Sequence, residues 1–160
     1  ARSKVEFEYE GDWASWYRIF LDGFCESGDW FEFTLGWYKE SLVNPNVLFF
    51  TYEDMKMDPA ATVRSIASFV NFPDVTDELI QTVVEKSSFK SMKSNELTNC
   101  TQIPQRGEPH MRKGQVGDWK NYFTVAQSEA FDDVYEELMG ESGLIFTYEQ
   151  SEQSEEEKQA

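Results

Sequence analysis

Apolar residues recur at helical spacing along most of this chain. From Trp13 to Phe24 they fall at positions i, i+3, i+4 and i+7, and Asp12 stands before them as a typical N-cap. Similar stripes follow at four further places, each behind a residue that caps or starts helices. We therefore predict a mostly helical protein whose aromatic stripes form its core. The predicted further starts are Asp29, Asp58 with Pro59, Thr76, and Thr124 with Gln127, and Gly140 is the predicted stop of the last helix.

One segment breaks the helical pattern. Residues 47–51, Val-Leu-Phe-Phe-Thr, form a continuous apolar run of strand length, which is typical of a parallel strand covered on both faces. Tyr52 follows the carboxyl end of this run, and in open α/β sheets ligands bind at that edge. The pattern predicts an α/β fold with one core parallel strand, and it places Tyr52 where a ligand would bind.

The stretch from Ser94 to Asp118 lacks apolar periodicity and is punctuated by glycine and proline, which predicts a long binding loop or a disordered one. Within it, Arg112 and Lys113 precede Gly114. Arginine can grip a phosphate with two parallel N–H bonds, lysine adds a mobile charge, and glycine lets backbone N–H groups approach the same oxygens. These three residues indicate an anion site. An ordinary basic turn, which can have the same sequence, is the alternative.

Composition narrows the class of protein. The net charge is -16 and the pI is about 4.3, so nucleic acid and anionic membrane surfaces are poor partners. Cys25 and Cys100 lie far apart and His110 is the only histidine, so we expect reduced thiols rather than a disulfide, and no zinc site. No apolar run approaches the roughly 20 residues of a membrane span, and we predict a cytoplasmic protein.

The ends of the chain differ from its middle. The first residue is Ala rather than Met, which suggests a partial chain, and after Tyr148 only Glu, Gln, Ser, Lys and Ala occur. Such a tail cannot bury apolar area. We predict one partial domain over residues 1–149 and a disordered acidic tail over 150–160.

Several short motifs follow one another along the chain in a characteristic order. They are Gly28-Asp29-Trp30-Phe31, Gly36-Trp37, the run from Asn46 to Lys56, Asp58-Pro59, Ser87-Ser88-Phe89, Met92-Lys93, Asn95, Met111-Arg112-Lys113-Gly114, Gly117-Asp118-Trp119-Lys120, Phe123-Thr124 and Phe131-Asp132. This series, over roughly residues 5 to 149, resembles the C-terminal part of the cytosolic sulfotransferase family. The resemblance implies the C-terminal part of a P-loop-type sulfotransferase fold. It also implies 3'-phosphoadenosine 5'-phosphosulfate (PAPS) as the sulfuryl donor.

The resemblance assigns a cofactor-binding set. It implies that Arg112, Lys113 and Gly114 grip the 3'-phosphate, that Tyr52 lies near the adenine, and that Ser87, Ser88 and Phe89 match a Thr-Ser-Phe segment against the base. Met111 keeps the residue that precedes the arginine in the family. His110 stands where the family usually has phenylalanine and does not align with the family's catalytic histidine, so no catalytic residue is assigned.

Other parts of the family's site have no match in this sequence. No Gly-rich cradle of the Lys-Ser/Thr-Gly-Thr-Thr-Trp type is present, and the upstream arginine and serine that share the 3'-phosphate are missing. Each lost charge-assisted contact costs on the order of 1.5 to 3 kcal/mol. We therefore expect little sulfate transfer by this chain alone.

Lys120, Thr124, Val125 and Glu129 reproduce the family's Lys-x-x-x-Thr-Val-x-x-x-Glu dimerisation segment. The resemblance implies a two-fold homodimer in which Lys120 meets Glu129 of the partner subunit. A solvated helix start with a capping threonine is the alternative. For the protein as a whole, we expect a sulfotransferase acting on a hydroxyl or amine of a small molecule. A non-catalytic nucleotide-binding or dimerisation module is the alternative.

Overall fold

The computed structural model describes residues 11–25, 28–99 and 111–148. Their contacts divide the chain into two compact units. Unit 1 contains the described residues up to Phe49 together with Trp119–Ile145. Unit 2 contains Phe50–Asp118 and the described residues from Phe146 onward.

The described residues form helices joined by short connections, so the prediction of a mostly helical chain is confirmed. The α-helices are α1 Trp13–Leu21, α2 Trp30–Val43, α3 Tyr52–Met57, α4 Pro59–Phe69, α5 Asp77–Lys86, α6 Phe89–Ser94 and α7 Val125–Met139, and two 3-10 turns span Asp118–Asn121 and Gly140–Ser142. The short helices α3 and α6 were not predicted. Each has six residues, too few to show a periodic stripe.

Side-chain caps explain why the helices begin where they do. In each predicted case, an oxygen of the capping side chain accepts a hydrogen bond from the backbone N–H three residues further on. The predicted caps that are confirmed are Asp12, Asp29, Asp58, Thr76 and Thr124. Gln127 completes the predicted capping box by accepting the Thr124 N–H at 3.0 Å. Gly140 follows the last residue of α7, as predicted.

Aromatic rings form the core of unit 1. Phe31 of α2 is 2% exposed, and its ring centroid lies 5.8 Å from that of Phe131 in α7 and 6.3 Å from that of Phe20 in α1. The Tyr17 hydroxyl donates a 2.7 Å hydrogen bond to the Gln127 carbonyl, which ties α1 to α7. The prediction that the aromatic stripes form the core is therefore confirmed only in part. Tyr17 is buried, whereas other members of the stripes are 37% to 79% exposed, namely Trp13, Trp16, Phe24, Phe33 and Trp37.

In unit 2 the consecutive helices α3 to α6 pack against their neighbours in the chain. Ile80 of α5 is its most buried apolar side chain among the described residues, at 2% exposed. An ion pair of 2.6 Å joins Arg64 of α4 to Asp77 of α5. This unit carries every described residue of the predicted cofactor-binding set.

The predicted core strand at residues 47–51 is not formed; within the described parts of the chain, no segment is a strand. Two of its backbone donors are used locally: the Val47 N–H bonds to the Asn44 carbonyl, and the Thr51 N–H bonds to the Asp54 carboxylate. A strand needs a second strand to complete its hydrogen bonds, and these local bonds make a turn and a helix cap instead. The segment leads directly into α3.

Replacing Phe31 by alanine should lower the free energy of unfolding by about 3 to 5 kcal/mol, because it empties a ring-sized volume between three helices. Urea denaturation followed by far-UV circular dichroism measures this change. Phe33→Ala on the same helix is the matched control, since Phe33 is 59% exposed. An equal loss in both variants would contradict the assignment of Phe31 to the core.

Candidate anion-binding site

Two cations and one carboxylate form the centre of the candidate site. Arg112 Nη1 donates to Asp118 Oδ2, and Lys113 Nζ lies 2.5 Å from Asp118 Oδ1. The Asp118 side chain is 6% exposed, whereas the side chains of Arg112 and Lys113 are 58% and 46% exposed. A buried carboxylate thus contacts two cations that remain open to solvent, and such cations can bind an anion.

Gly114 makes a close contact that no other residue type would allow. Its φ is +65°, and a Cβ added there would lie 2.6 Å from Cγ of the Phe89 ring. The left-handed backbone and the nearby ring both require glycine. Lys93 Nζ lies 5.4 Å from the centroid of the same ring. The structure therefore brings Phe89 and Gly114, predicted from separate motifs, into one place.

Asn99 holds the start of the Arg112 segment. Its side-chain oxygen accepts the Met111 N–H at 3.0 Å, and its amide nitrogen donates to the Lys93 carbonyl at 3.1 Å. Asn99 is 7% exposed, so both bonds are shielded from water. The sequence prediction did not assign Asn99 or Asp118 a role. Asp118 lies within a recognised motif, directly after Gly117. Its position a few residues after Arg112 and Lys113 was the sequence signal that could have indicated an ion pair with them.

The two predicted serines stabilise the junction between α5 and α6. The Ser87 hydroxyl donates to the Val83 carbonyl at 2.7 Å, and the Ser88 hydroxyl accepts the Ser91 N–H at 3.2 Å. Ser88 is thus the N-cap that places Phe89 at the first position of α6. Both hydroxyls thus bond to the helix backbone, that of Ser87 to α5 and that of Ser88 to α6.

Tyr52 is the first residue of α3 and is half-exposed. Partial burial, and to a lesser extent the neighbouring charge of Glu53, raise the pKa of its hydroxyl above the ordinary value of 10.0. The phenol is therefore uncharged near neutral pH and can donate a hydrogen bond. Its assignment to the site rests on the resemblance and on its place in unit 2.

The four residues of the predicted dimerisation segment lie in unit 1 and are all exposed. Val125 is 76% exposed at the first turn of α7, and Thr124 caps that helix. Lys120 Nζ lies 5.7 Å from the centroid of the Trp119 ring. Because all four residues are exposed, this surface is accessible to a partner subunit. The capping role of Thr124 gives a reason for a threonine at this position that needs no partner subunit.

Some predictions fall outside the described residues, namely those for Cys100, His110 and the tail 150–160. Within the described ranges, no three His, Cys, Asp or Glu side chains are placed to share a metal ion. No helix in that part of the chain combines the length and apolar character needed to cross a lipid bilayer.

Half-exposed cations beside a glycine and an aromatic ring form a candidate anion site on a helical fold. Residues 1–143 match the family model described as the sulfotransferase domain. The chain belongs to the sulfotransferase family, as its motifs predicted.

Curated relatives agree with this assignment. The chain is 38% identical over 144 residues to sulfotransferase 1C2 of Rattus norvegicus, a match that covers 87% of this chain and 48% of the relative. It is 45% identical over 132 residues to sulfotransferase 1E1 of Bos taurus, covering 79% of this chain and 44% of the relative. The chain therefore spans about half the length of the curated relatives it matches.

Solved structures give the same fold. A mouse sulfotransferase, SULT7A1, crystallised with PAP, aligns with a TM-score of 0.68 and 32% identity over 82% of this chain and 48% of its own. Retinol dehydratase in a complex with retinol and PAP aligns with a TM-score of 0.80 over 87% of this chain and 42% of its own. That second match is 23% identical and supports the fold alone.

Gly114→Ala should lower the free energy of unfolding by about 1 to 3 kcal/mol, because the new methyl group meets the Phe89 ring and the backbone is left-handed. Urea denaturation measures the change. Gly36→Ala should act in the opposite direction by up to about 1 kcal/mol, since Gly36 lies within a helix and a Cβ there meets no atom within 4 Å. Stabilisation by both substitutions would contradict the close contact at Gly114.

Proposed function

We propose that this chain provides the 3'-phosphate grip of a sulfotransferase that uses PAPS. The observation that carries the proposal is the pair of half-exposed cations, Arg112 and Lys113, fixed on the buried carboxylate of Asp118. A 3'-phosphate distinguishes PAPS from common adenine nucleotides. A guanidinium and an ammonium side by side suit a phosphate dianion, because one gives directed N–H donors and the other a point charge.

The surroundings of the cations suit the rest of a nucleotide. The Phe89 ring lies against Gly114 and offers an aromatic surface for a base. The Tyr52 hydroxyl, uncharged near neutral pH, would serve as a hydrogen-bonding group near the adenine. The relation to the mouse sulfotransferase crystallised with PAP supports this ligand class.

PAPS supplies the sulfuryl group, which the family transfers to a hydroxyl or amine of a small molecule. Such transfer depends on positioning and on charge stabilisation. Within residues 1–160 we match neither the cradle for the 5'-phosphosulfate nor a catalytic base. We therefore propose that this chain alone binds nucleotide without transferring sulfate at an appreciable rate.

The alternative function is a dimerisation module that acts through Lys120, Thr124, Val125 and Glu129. Its support is the exposure of all four residues and the 76% exposed apolar side chain of Val125. Lys120 and Glu129 have opposite charges, so a two-fold axis through the segment would pair them across an interface.

The cytoplasmic location, and the exclusion of nucleic acid and membranes as partners, stay predictions. The location rests on the lack of an apolar run of about 20 residues in this sequence. The exclusion of nucleic acid and membranes rests on the acidic pI of about 4.3, since an acidic protein repels polyanions and anionic lipid surfaces.

Arg112→Ala should abolish the preference of the chain for adenosine 3',5'-bisphosphate over adenosine 5'-monophosphate, because it removes the directed donors to the 3'-phosphate. A loss of about tenfold or more corresponds to one charge-assisted bond of roughly 1.5 to 3 kcal/mol. Isothermal titration calorimetry with both nucleotides measures it. Arg64→Ala is the control, since Arg64 is an ion-paired arginine of the same unit. Equal nucleotide preferences in wild type and Arg112→Ala would contradict the proposed grip.

Val125→Glu should convert a homodimer into a monomer, because it buries a charge in the proposed two-fold contact. Sedimentation velocity at several concentrations reports the mass. Val43→Glu is the matched control, as Val43 is 80% exposed in the same unit and outside the segment. If wild type and Val125→Glu have the same mass, the dimerisation alternative is wrong.

A further inference from the structure

We propose that Asp118 is a positioning residue of the phosphate grip, holding Arg112 and Lys113 in the arrangement that recognises the 3'-phosphate. The inference rests on the proposed function and adds a residue to it. Asp118 would not touch the nucleotide. It would act through the two cations that its carboxylate contacts, one on each oxygen.

Burial shows which of the three groups faces the ligand. The Asp118 side chain is 6% exposed, whereas the two cationic side chains are about half-exposed. The carboxylate thus contacts the cations from the protein side, and a ligand would approach them from the solvent side. A phosphate reaching Arg112 and Lys113 does not need to displace Asp118.

The two cations need such an anchor because their side chains are long. Free lysine and arginine side chains populate many rotamers, and that freedom is lost when both must contact one phosphate. An ion pair already formed in the unliganded protein removes part of this entropic cost before binding. Asn99 assists by accepting the Met111 N–H, which fixes the backbone immediately before Arg112.

Electrostatics alone predicts the opposite effect of Asp118. Its negative charge lowers the charge of the group from two cations to a net +1, so its removal should strengthen the attraction of an anion. The positioning role predicts weaker and less selective binding when the carboxylate is lost, despite the gain in positive charge. The two explanations therefore differ in the sign of the effect.

The test compares Asp118→Asn and Asp118→Glu with Asp77→Asn. The asparagine variant removes the charge and keeps the size, and the glutamate variant keeps the charge but moves the carboxylate by one methylene. Asp77 is the matched control, since it is an ion-paired carboxylate of the same unit with an 87% exposed side chain. Calorimetry measures affinity for adenosine 3',5'-bisphosphate and adenosine 5'-monophosphate. NMR of the Arg112 Nη–H groups, without ligand, measures their exchange with water, because Nη1 is the atom that donates to Asp118.

We expect both Asp118 variants to lose about tenfold of the preference for the bisphosphate, with Asp77→Asn unchanged. Destabilisation of the fold alone would lower the affinities for both nucleotides equally and leave the ratio of the two affinities unchanged. Unchanged or stronger preference in Asp118→Asn overturns the positioning role, as does wild-type preference in Asp118→Glu. If wild type itself lacks the preference, the proposed function fails, and the NMR measurement then shows whether Asp118 anchors Arg112. A slowly exchanging Arg112 signal that is lost in both Asp118 variants supports anchoring. A signal that is unchanged in these variants overturns it.

Discussion

A carboxylate taken out of water must be paired, and this requirement organises the candidate site. The Asp118 side chain is nearly buried, and two cations compensate its charge. The cations belong to the loop that precedes Asp118, so the pairing closes that segment into a defined turn. Gly114, between the cations and the carboxylate in the chain, has the left-handed backbone found in this turn. In this otherwise acidic protein, the two cations of the candidate site thus share one buried negative charge as their partner.

The helices were predictable where two signals agreed. A periodic apolar stripe and a capping residue together located the starts of α1, α2, α4, α5 and α7. Helices α3 and α6 are too short for a stripe, and only their caps, Thr51 and Ser88, marked them. The strand prediction at residues 47–51 was wrong because an apolar run shows burial tendency, whereas a strand also requires a hydrogen-bonding neighbour.

The residues of the candidate site were likewise predictable only in part. Arg112, Lys113 and Gly114 were found because their letters match a family motif, and Phe89 because it belongs to another. The contact between Phe89 and Gly114 is a feature of the tertiary structure that neither motif indicates. Asn99 was missed for a related reason, since a buried amide that bonds to Met111 and Lys93 leaves no periodic trace in the sequence. The motifs therefore named the groups suited to a ligand, and the structure revealed the side chains that support them.

The contact between Gly114 and the Phe89 ring links two positions that are distant in the sequence. A side chain at position 114 would occupy space that the ring already fills, so the size allowed at one position depends on the residue at the other. Substitutions at these two positions should therefore be non-additive. In evolutionary terms, the pair can change size only together, and the positive φ of Gly114 limits even that joint change. The packing of a single ring thus restricts how this segment can diverge.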